Sequence, residues 1–524
     1  MSTRGKYRLA SLAAAALVLS ACSSGGGTKA SSDVLQVGSS AVATLDYSKS
    51  NYGYANSLGN LVLEPLVVTK QAGGFGPWLA KSWTQPNPTT YVYKLRTDVK
   101  FSDGQPLTAA DVVQSLDYYK ADGSLVAFNF PSTLKSIQAL DSSTVEFKFS
   151  EPYPAWNSTL SGAALGIFEK KFFEAHKSTF GQPGTGVIGT GPWQVDSLDA
   201  TTGAALSANK YYWGGKVPYS KINFSFFSNE TNEAVALRTG EIDVAFPQDP
   251  RAFASTAKTK LTTAKTGIDK VEFWMNTLVA PWNDIHVRRA VAYALDRNAL
   301  VNASGVVGSP LDTVIPRPLL LQLGTTEQVN TALDGLREYP PDLTKAKAEM
   351  AQSAYPHGTT VTLATVKAVS TTSQAVVAEL SAIGITAKLE TQTDEANNAE
   401  LTSGNREAIH SQVVPVGGSG IDPGLAYDYM FGSANAKAGG WNGTNWSTPE
   451  VDKLRAEGLR ESDPAKRLAI YAQLIKQYAD AEPLVPLYTK NQTVALRPGY
   501  TWPDFGADSL FNEGPWPLWL KRGQ

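Results

Sequence analysis

Three short motifs in this 524-residue chain could carry acyl-transfer chemistry. Ser132-Thr133-Leu134-Lys135 sets a hydroxyl three residues before an amine able to take its proton. Ser207-Ala208-Asn209 and Lys265-Thr266-Gly267 follow in the order that such serine chemistry uses. The reaction needs Ser132 at the start of a buried helix, with Lys135 one turn on and Lys265-Thr266-Gly267 on a strand lining the same pocket. The sequence instead offers Pro131 and then an approach to a strand at 144–149. Two further Ser-x-x-Lys copies, Ser207 to Lys210 and Ser255 to Lys258, bring the motif close to chance frequency. Gly-x-Ser-x-Gly, His-Glu-x-x-His and a P-loop are all absent. The four histidines, His176, His286, His357 and His410, have no second ligand at i+3 or i+4. Neither an enzyme nor a resident metal or cofactor is expected.

Cys22 is the single cysteine, and its chemistry is set by what precedes it. Arg4, Lys6 and Arg8 form a basic start, and residues 9–19 form an apolar run too short to span a bilayer as a mature helix. Leu19-Ser20-Ala21-Cys22 then looks like a lipobox, whose cysteine thiol receives a diacylglycerol. Residues 1–21 read as a lipoprotein signal peptide and 22–32, rich in Gly and Ser, as a flexible tether. The expected location is the extracytoplasmic face of the cell membrane, with the chain anchored through Cys22. Removing residues 1–21 leaves 43 Lys+Arg against 48 Asp+Glu, a formal charge of −5. A mildly acidic exported chain lacks the clustered cations that nucleic-acid binding needs. One cysteine allows no intrachain disulfide, so the fold rests on burial, and roughly 490 residues should split into two or three compact units.

From Asp33 onward strand-like and helix-like segments alternate, so the class is mixed α/β. Tyr91-Val92-Tyr93-Lys94-Leu95 alternates as a half-buried strand. Thr108-Ala109-Ala110-Asp111 has capping-box spacing and opens a helix with the stripe Val112, Leu116 and Tyr119. Residues 233–238 are helical, Gly240 stops them, and 242–246 returns as a strand. Residues 373–383, Gly384 and the strand 385–389 repeat the scheme. Asp463-Pro464 starts a late helix with Leu468, Tyr471, Leu474, Ile475 and Tyr478 on one stripe.

Several stretches, in order along nearly the whole mature chain, resemble the peptide/nickel/oligopeptide-binding family (family 5) of extracytoplasmic solute-binding proteins. They include Pro77-Trp78-Leu79-Ala80-Lys81-Ser82-Trp83, residues 93–113, Gly189-Thr190-Gly191-Pro192-Trp193, residues 208–213 and residues 236–245. Asn276, residues 284–297, Asp422-Pro423, residues 449–454 and residues 483–488 continue the series. The resemblance implies a two-lobed periplasmic-binding-protein-like fold around a cleft, an ABC permease as partner with its ATPase on a separate chain, and a monomer. It places lobe I at 33–274 and 486–524, with an inserted subdomain near 62–186, and lobe II at 275–485. The chain would then cross between lobes near Trp274-Met275-Asn276 and near Pro483 to Pro486, a doubly tied hinge that favours closing over twisting.

A small solute, peptide by default, is the implied ligand; oligosaccharide is the alternative, with a nickel chelate near His410 and a penicillin-interacting serine enzyme as remote readings. A sensory lipoprotein would look the same in sequence. Peptide-binding relatives carry an aspartate three residues before the Asp-Pro pair to hold the ligand's amine, and this chain has Ser419 there. A serine hydroxyl supplies no charge-assisted bond. Asp422 could substitute, although capping a short helix at 425–431 explains it without ligand. Trp441-Asn442-Gly443-Thr444-Asn445-Trp446 puts two aromatic faces beside amide donors, a set suited to sugar rings or peptide side chains and equally to a loop pinned to lobe II by its own tryptophans. Tyr47, Tyr52 and Tyr54 after the first strand, and Trp274 and Asn276 at the expected hinge, complete the candidate ligand contacts.

Overall fold

The computed structural model describes residues 33–50, 57–70, 74–247, 249–254, 259–264, 269–417, 421–426, 428–506 and 514–523. Local signals fix many of its elements. The helix Ala109–Lys120 begins where Asp111 accepts from both the Thr108 N–H (2.9 Å) and its hydroxyl (2.6 Å). The helix Glu230–Thr239 ends on Gly240 at φ 82°, a left-handed conformation that costs a glycine nothing. Asp463 caps Pro464–Ala481 through the Lys466 N–H. That helix buries Leu468, Tyr471, Leu474, Ile475 and Tyr478, the stripe read from its spacing. One expected element is shorter: the strand anticipated at 242–246 pairs only over Val244–Ala245.

Two large sheets organise the molecule. The first has seven strands in the spatial order Lys260–Ala264, Gln492–Leu496, Val244–Ala245, Val34–Ser39, Lys221–Phe226, Gly203–Ala208 and Trp193–Asp199. Val34–Ser39 runs parallel to both its neighbours. Beside this sheet lies a four-stranded antiparallel one, Ala80–Asn87, Thr90–Leu95, Thr144–Phe149 and Leu134–Asp141, and both share one apolar core. The second large sheet has six strands, in the order Gly308–Pro310, Leu484–Lys490, Lys270–Trp274, Ser411–Val416, Thr359–Val366 and Ile385–Gln392. Helix Ser370–Ser381 makes the crossover between its two parallel strands Thr359–Val366 and Ile385–Gln392.

Alternation along the strand Lys270–Trp274 supplies both faces of this second sheet. Val271 and Phe273 join the core under the helices Ile285–Ala294, Leu343–Gln352 and Ser370–Ser381. Trp274, on the opposite face, joins the core under Pro449–Arg460 and Pro464–Ala481.

One antiparallel strand pair in each sheet flanks the change from one sheet to the other. Lys260–Ala264 pairs with Gln492–Leu496 in the first sheet, and Lys270–Trp274 pairs with Leu484–Lys490 in the second. The chain therefore changes sheets between Ala264 and Lys270 and again at Asn491. This corrects the expected crossings at 274–276 and 483–486, which lie with the second sheet. Strands buried on both faces read as continuous apolar runs, and such runs carry no mark of the sheet to which they belong.

Candidate interlobe cleft

The strand Ser411–Val416 delivers the Asp-Pro loop to the boundary between the two halves. There the N–H groups of Ile421 and Asp422 both donate to the Ser158 hydroxyl, at 3.1 and 3.2 Å. Ser158 belongs to the first half and is buried, so two main-chain donors of one lobe end on a single acceptor of the other. Leu425 from the second lobe enters the first lobe's core. An Arg460–Glu151 ion pair closes the same boundary at its rim.

Asp422 is fully engaged inside its own lobe. Its oxygens accept from Arg467 Nη1 and Nη2 at 2.6 and 2.7 Å, and Oδ1 also accepts from the N–H groups of Gly424 and Leu425. The helix expected at 425–431 is not seen among the described residues. A single turn closes from the Ala426 N–H to the Asp422 carbonyl, followed by a 3₁₀ segment at Asp428–Met430. Gly424 explains part of this, since a Cβ there would lie 1.9 Å from the Tyr471 hydroxyl, so the backbone must approach the helix behind it closely.

The other candidate contacts are held in packing or hydrogen bonds. Tyr47 is fully buried in the first core with its ring against Tyr119. Trp274 is 3% exposed and donates its indole N–H to Glu272 at 2.8 Å. The Asn276 amide donates to the carbonyls of Arg406 and Ile409 and accepts from Asn445 Nδ2. Asn442 donates to the carbonyls of Gly432 and Trp446. Trp446 meets Tyr478 edge-on at 4.7 Å, and Trp441 packs on the same core. The tryptophan loop is thus pinned to the second lobe by its own side chains. Tyr52, Tyr54, Ser419 and Cys22 lie outside the described residues.

The described residues instead outline a cavity of about 440 Å³ between the four-stranded subdomain and the second lobe. Phe128, Tyr153 and Glu151 face it from one side, and Asp428, Tyr429 and Arg455 from the other. The rings of Phe128 and Tyr429 stand 6.1 Å apart across it. Arg455 Nε donates to Asp428 Oδ1 at 2.9 Å, and burial pushes the Asp428 carboxyl up while Arg455 opposes the shift. Tyr429 donates its hydroxyl to the Gly417 carbonyl at 2.7 Å. The second lobe also holds a buried charge pair, Lys270 to Glu272 at 2.6 Å, with Lys270 Nζ also donating to the Val314 carbonyl. Burial drives the Lys270 amine down and the Glu272 carboxylate opposes it.

Sequence spacing gave no hint of Ser158, Phe128, Asp428 or Arg455 as boundary residues. The partners on the two sides lie some three hundred positions apart (Glu151 and Arg460 by 309), and only folding makes them neighbours. The serine-chemistry motifs are not assembled. Ser132 precedes a strand, Leu134–Asp141, rather than opening a helix, and the Ser207 hydroxyl donates to Asp196. Lys265 lies outside the described residues. His286 and His410 contact Glu349 and Glu400, and the described residues contain no group of three potential metal ligands.

Comparison with known proteins places this geometry. The model of the bacterial extracellular solute-binding proteins, family 5 Middle, matches residues 74–438. The glutathione-binding protein GsiB of Shigella dysenteriae serotype 1 (strain Sd197) is 24% identical over 470 residues, 87% of this chain and 89% of that protein. The nickel-binding periplasmic protein of Escherichia coli (strain K12) is 26% identical over 466 residues, 84% and 86% respectively. Among solved structures, the periplasmic binding protein DppA of Helicobacter pylori with the peptide STSA superimposes with a TM-score of 0.77 at 21% identity, covering 94% of this chain and 98% of that one. AgaA from A. tumefacien R10, bound to agropinic acid, gives 0.76 at 24% identity, covering 94% and 99%. With two large sheets and a cavity at the boundary of its two lobes, the chain belongs to the bacterial extracellular solute-binding proteins of family 5, which bind small solutes for ABC permeases and are not enzymes.

Proposed function

We propose that the mature chain is a lipid-anchored receptor that captures a peptide-like solute by closing its two lobes and delivers it to an ABC permease. The observation that carries this reading is the boundary itself. The loop bearing Asp422 reaches across to Ser158, and a cavity of about 440 Å³, within the range that holds small ligands, lies beside it. Contacts made only when the lobes are together are what a ligand touching both walls would reinforce. The relatives named for glutathione and the neighbour bound to a peptide support an amino-acid-derived solute. Ser419, in place of the amine-binding aspartate, argues that the amine is held elsewhere.

Mass spectrometry of material co-purifying with the protein, followed by thermal melts with di- and tripeptides, glutathione and oligosaccharides, tests the reading. A peptide-like molecule should be retained and should raise the melting temperature. Stabilisation by oligosaccharides alone would replace the peptide, and indifference to every compound would end the receptor reading. Anchoring is tested separately: Cys22→Ser should move the chain from the membrane fraction to the soluble fraction and abolish palmitate labelling. Persistent labelling in that variant would overturn the anchor.

A further inference from the structure

The residues lining the interlobe cavity carry a charge imbalance. Among the described residues lining it, the acids are Glu151, Asp428 and Asp452 and the bases are Arg455 and Arg460, a surplus of one carboxylate. Both guanidinium groups are already committed. Arg460 pairs with Glu151, while Arg455 pairs with Asp428 and lies 3.8 Å from Asp452. Asp452 is further satisfied by the Ser433 N–H and hydroxyl and by Ser447. The bonds to the Asp428 carboxylate, by contrast, all land on Oδ1, leaving Oδ2 without a described donor. An acceptor in such surroundings gains most from a charged donor.

The walls suit the same occupant. Phe128 is 49% exposed, and its ring is tilted against that of Tyr429 across the gap. Phe130 and Tyr153 add two more aromatic rings. Aromatic faces attract cations and give nothing to anions. A carboxylate or phosphate entering here would find no uncommitted guanidinium and would meet the acidic surplus.

We propose that this cavity is a cation subsite, in which an ammonium or guanidinium group of the solute, beyond the α-amine that every peptide carries, docks on Asp428 Oδ2 between Phe128 and Tyr429. The solute is then a basic peptide or a related organic cation. This rests on the receptor reading above.

Titration calorimetry on the full mature chain separates the two ideas with the dipeptides Ala-Lys, Ala-Ala and Ala-Glu and with cadaverine and glutarate, which share a five-carbon chain and differ in the sign of their ends. Ala-Lys should bind about tenfold or more tighter than Ala-Glu, and cadaverine should bind where glutarate does not. Asp428→Asn should erase that preference. Phe128→Ala, at an exposed position where folding is not at stake, should weaken Ala-Lys by about threefold and Ala-Glu by less, so that the preference narrows. Dipeptides that bind without regard to charge, or an unchanged preference in Asp428→Asn, would overturn the cation subsite and leave the peptide receptor standing. Binding of cadaverine without any dipeptide would uphold the subsite and remove the peptide. No binding by any of the five would remove both.

Discussion

Asp422 and Arg467 share two hydrogen bonds of 2.6 and 2.7 Å, and the same carboxylate caps the turn at Gly424 and Leu425. Asp422→Ala would leave a buried guanidinium without its counter-charge, at a cost of about 3–5 kcal/mol in urea unfolding. A variant of unchanged stability would return Asp422 to the cleft as a ligand group. Glu233 is a different kind of buried acid. It is 6% exposed on the helix Glu230–Thr239, where burial first, and the neighbouring Glu230 second, push its carboxyl up to about 8. Because the folded state holds this proton more tightly than the unfolded chain, stability is greatest below about pH 4.5 for this group and is lost as pH rises toward 8. Glu233→Gln should therefore flatten the fall in melting temperature between pH 5 and 8 and gain on the order of 2 kcal/mol at pH 8. Equal pH profiles in both proteins would show that Glu233 is not held protonated.

At the scale of elements, caps and stripes were legible because they act over one or two turns. Thr108 with Asp111, Gly240, and Asp463 with Pro464 each mark a helix end whose hydrogen bonds close locally. Residues 425–431 broke the pattern, since the contacts that override helix formation there, Gly424 against Tyr471 and Asp428 to Arg455, come from helices later in the chain. The tryptophan loop packs as the second of its two sequence readings expects. Trp446 against Tyr478, with Asn442 tied to two carbonyls, shifts the expected effect of Trp446→Ala from solute affinity to stability. A loss of about 2 kcal/mol in chemical unfolding is expected, with affinity little changed. Ser158 joins one lobe to the loop of the other. Ser158→Ala strands the Ile421 and Asp422 N–H groups when the lobes meet, and should weaken solute binding by about five- to a hundredfold with little effect on the melting temperature of the unliganded protein. Unchanged affinity would mean that closure does not depend on this bridge.

For the whole molecule, the antiparallel pairs 260–264 with 492–496 and 270–274 with 484–490 flank the place where the chain changes sheets, one pair in each sheet. Two antiparallel strands resist relative twisting and permit bending, so solute should reduce the radius of gyration in small-angle scattering without changing secondary structure by circular dichroism. Identical scattering curves with and without a stabilising solute would contradict the hinge.

The sequence by itself determined the class, the mixed α/β pattern, several helix ends and the family, because these depend on spacings of a few residues and on an ordered series of short segments. The tertiary structure alone decided which sheet each strand joined, that Asp422 pairs with Arg467, that Trp274 and Asn276 bond to neighbours in the second lobe, and that Asp428 and Phe128 share a cavity. The physical reason is range: caps and stripes are satisfied within a few turns of chain, whereas burial and charge balance are fixed by neighbours brought from hundreds of residues away.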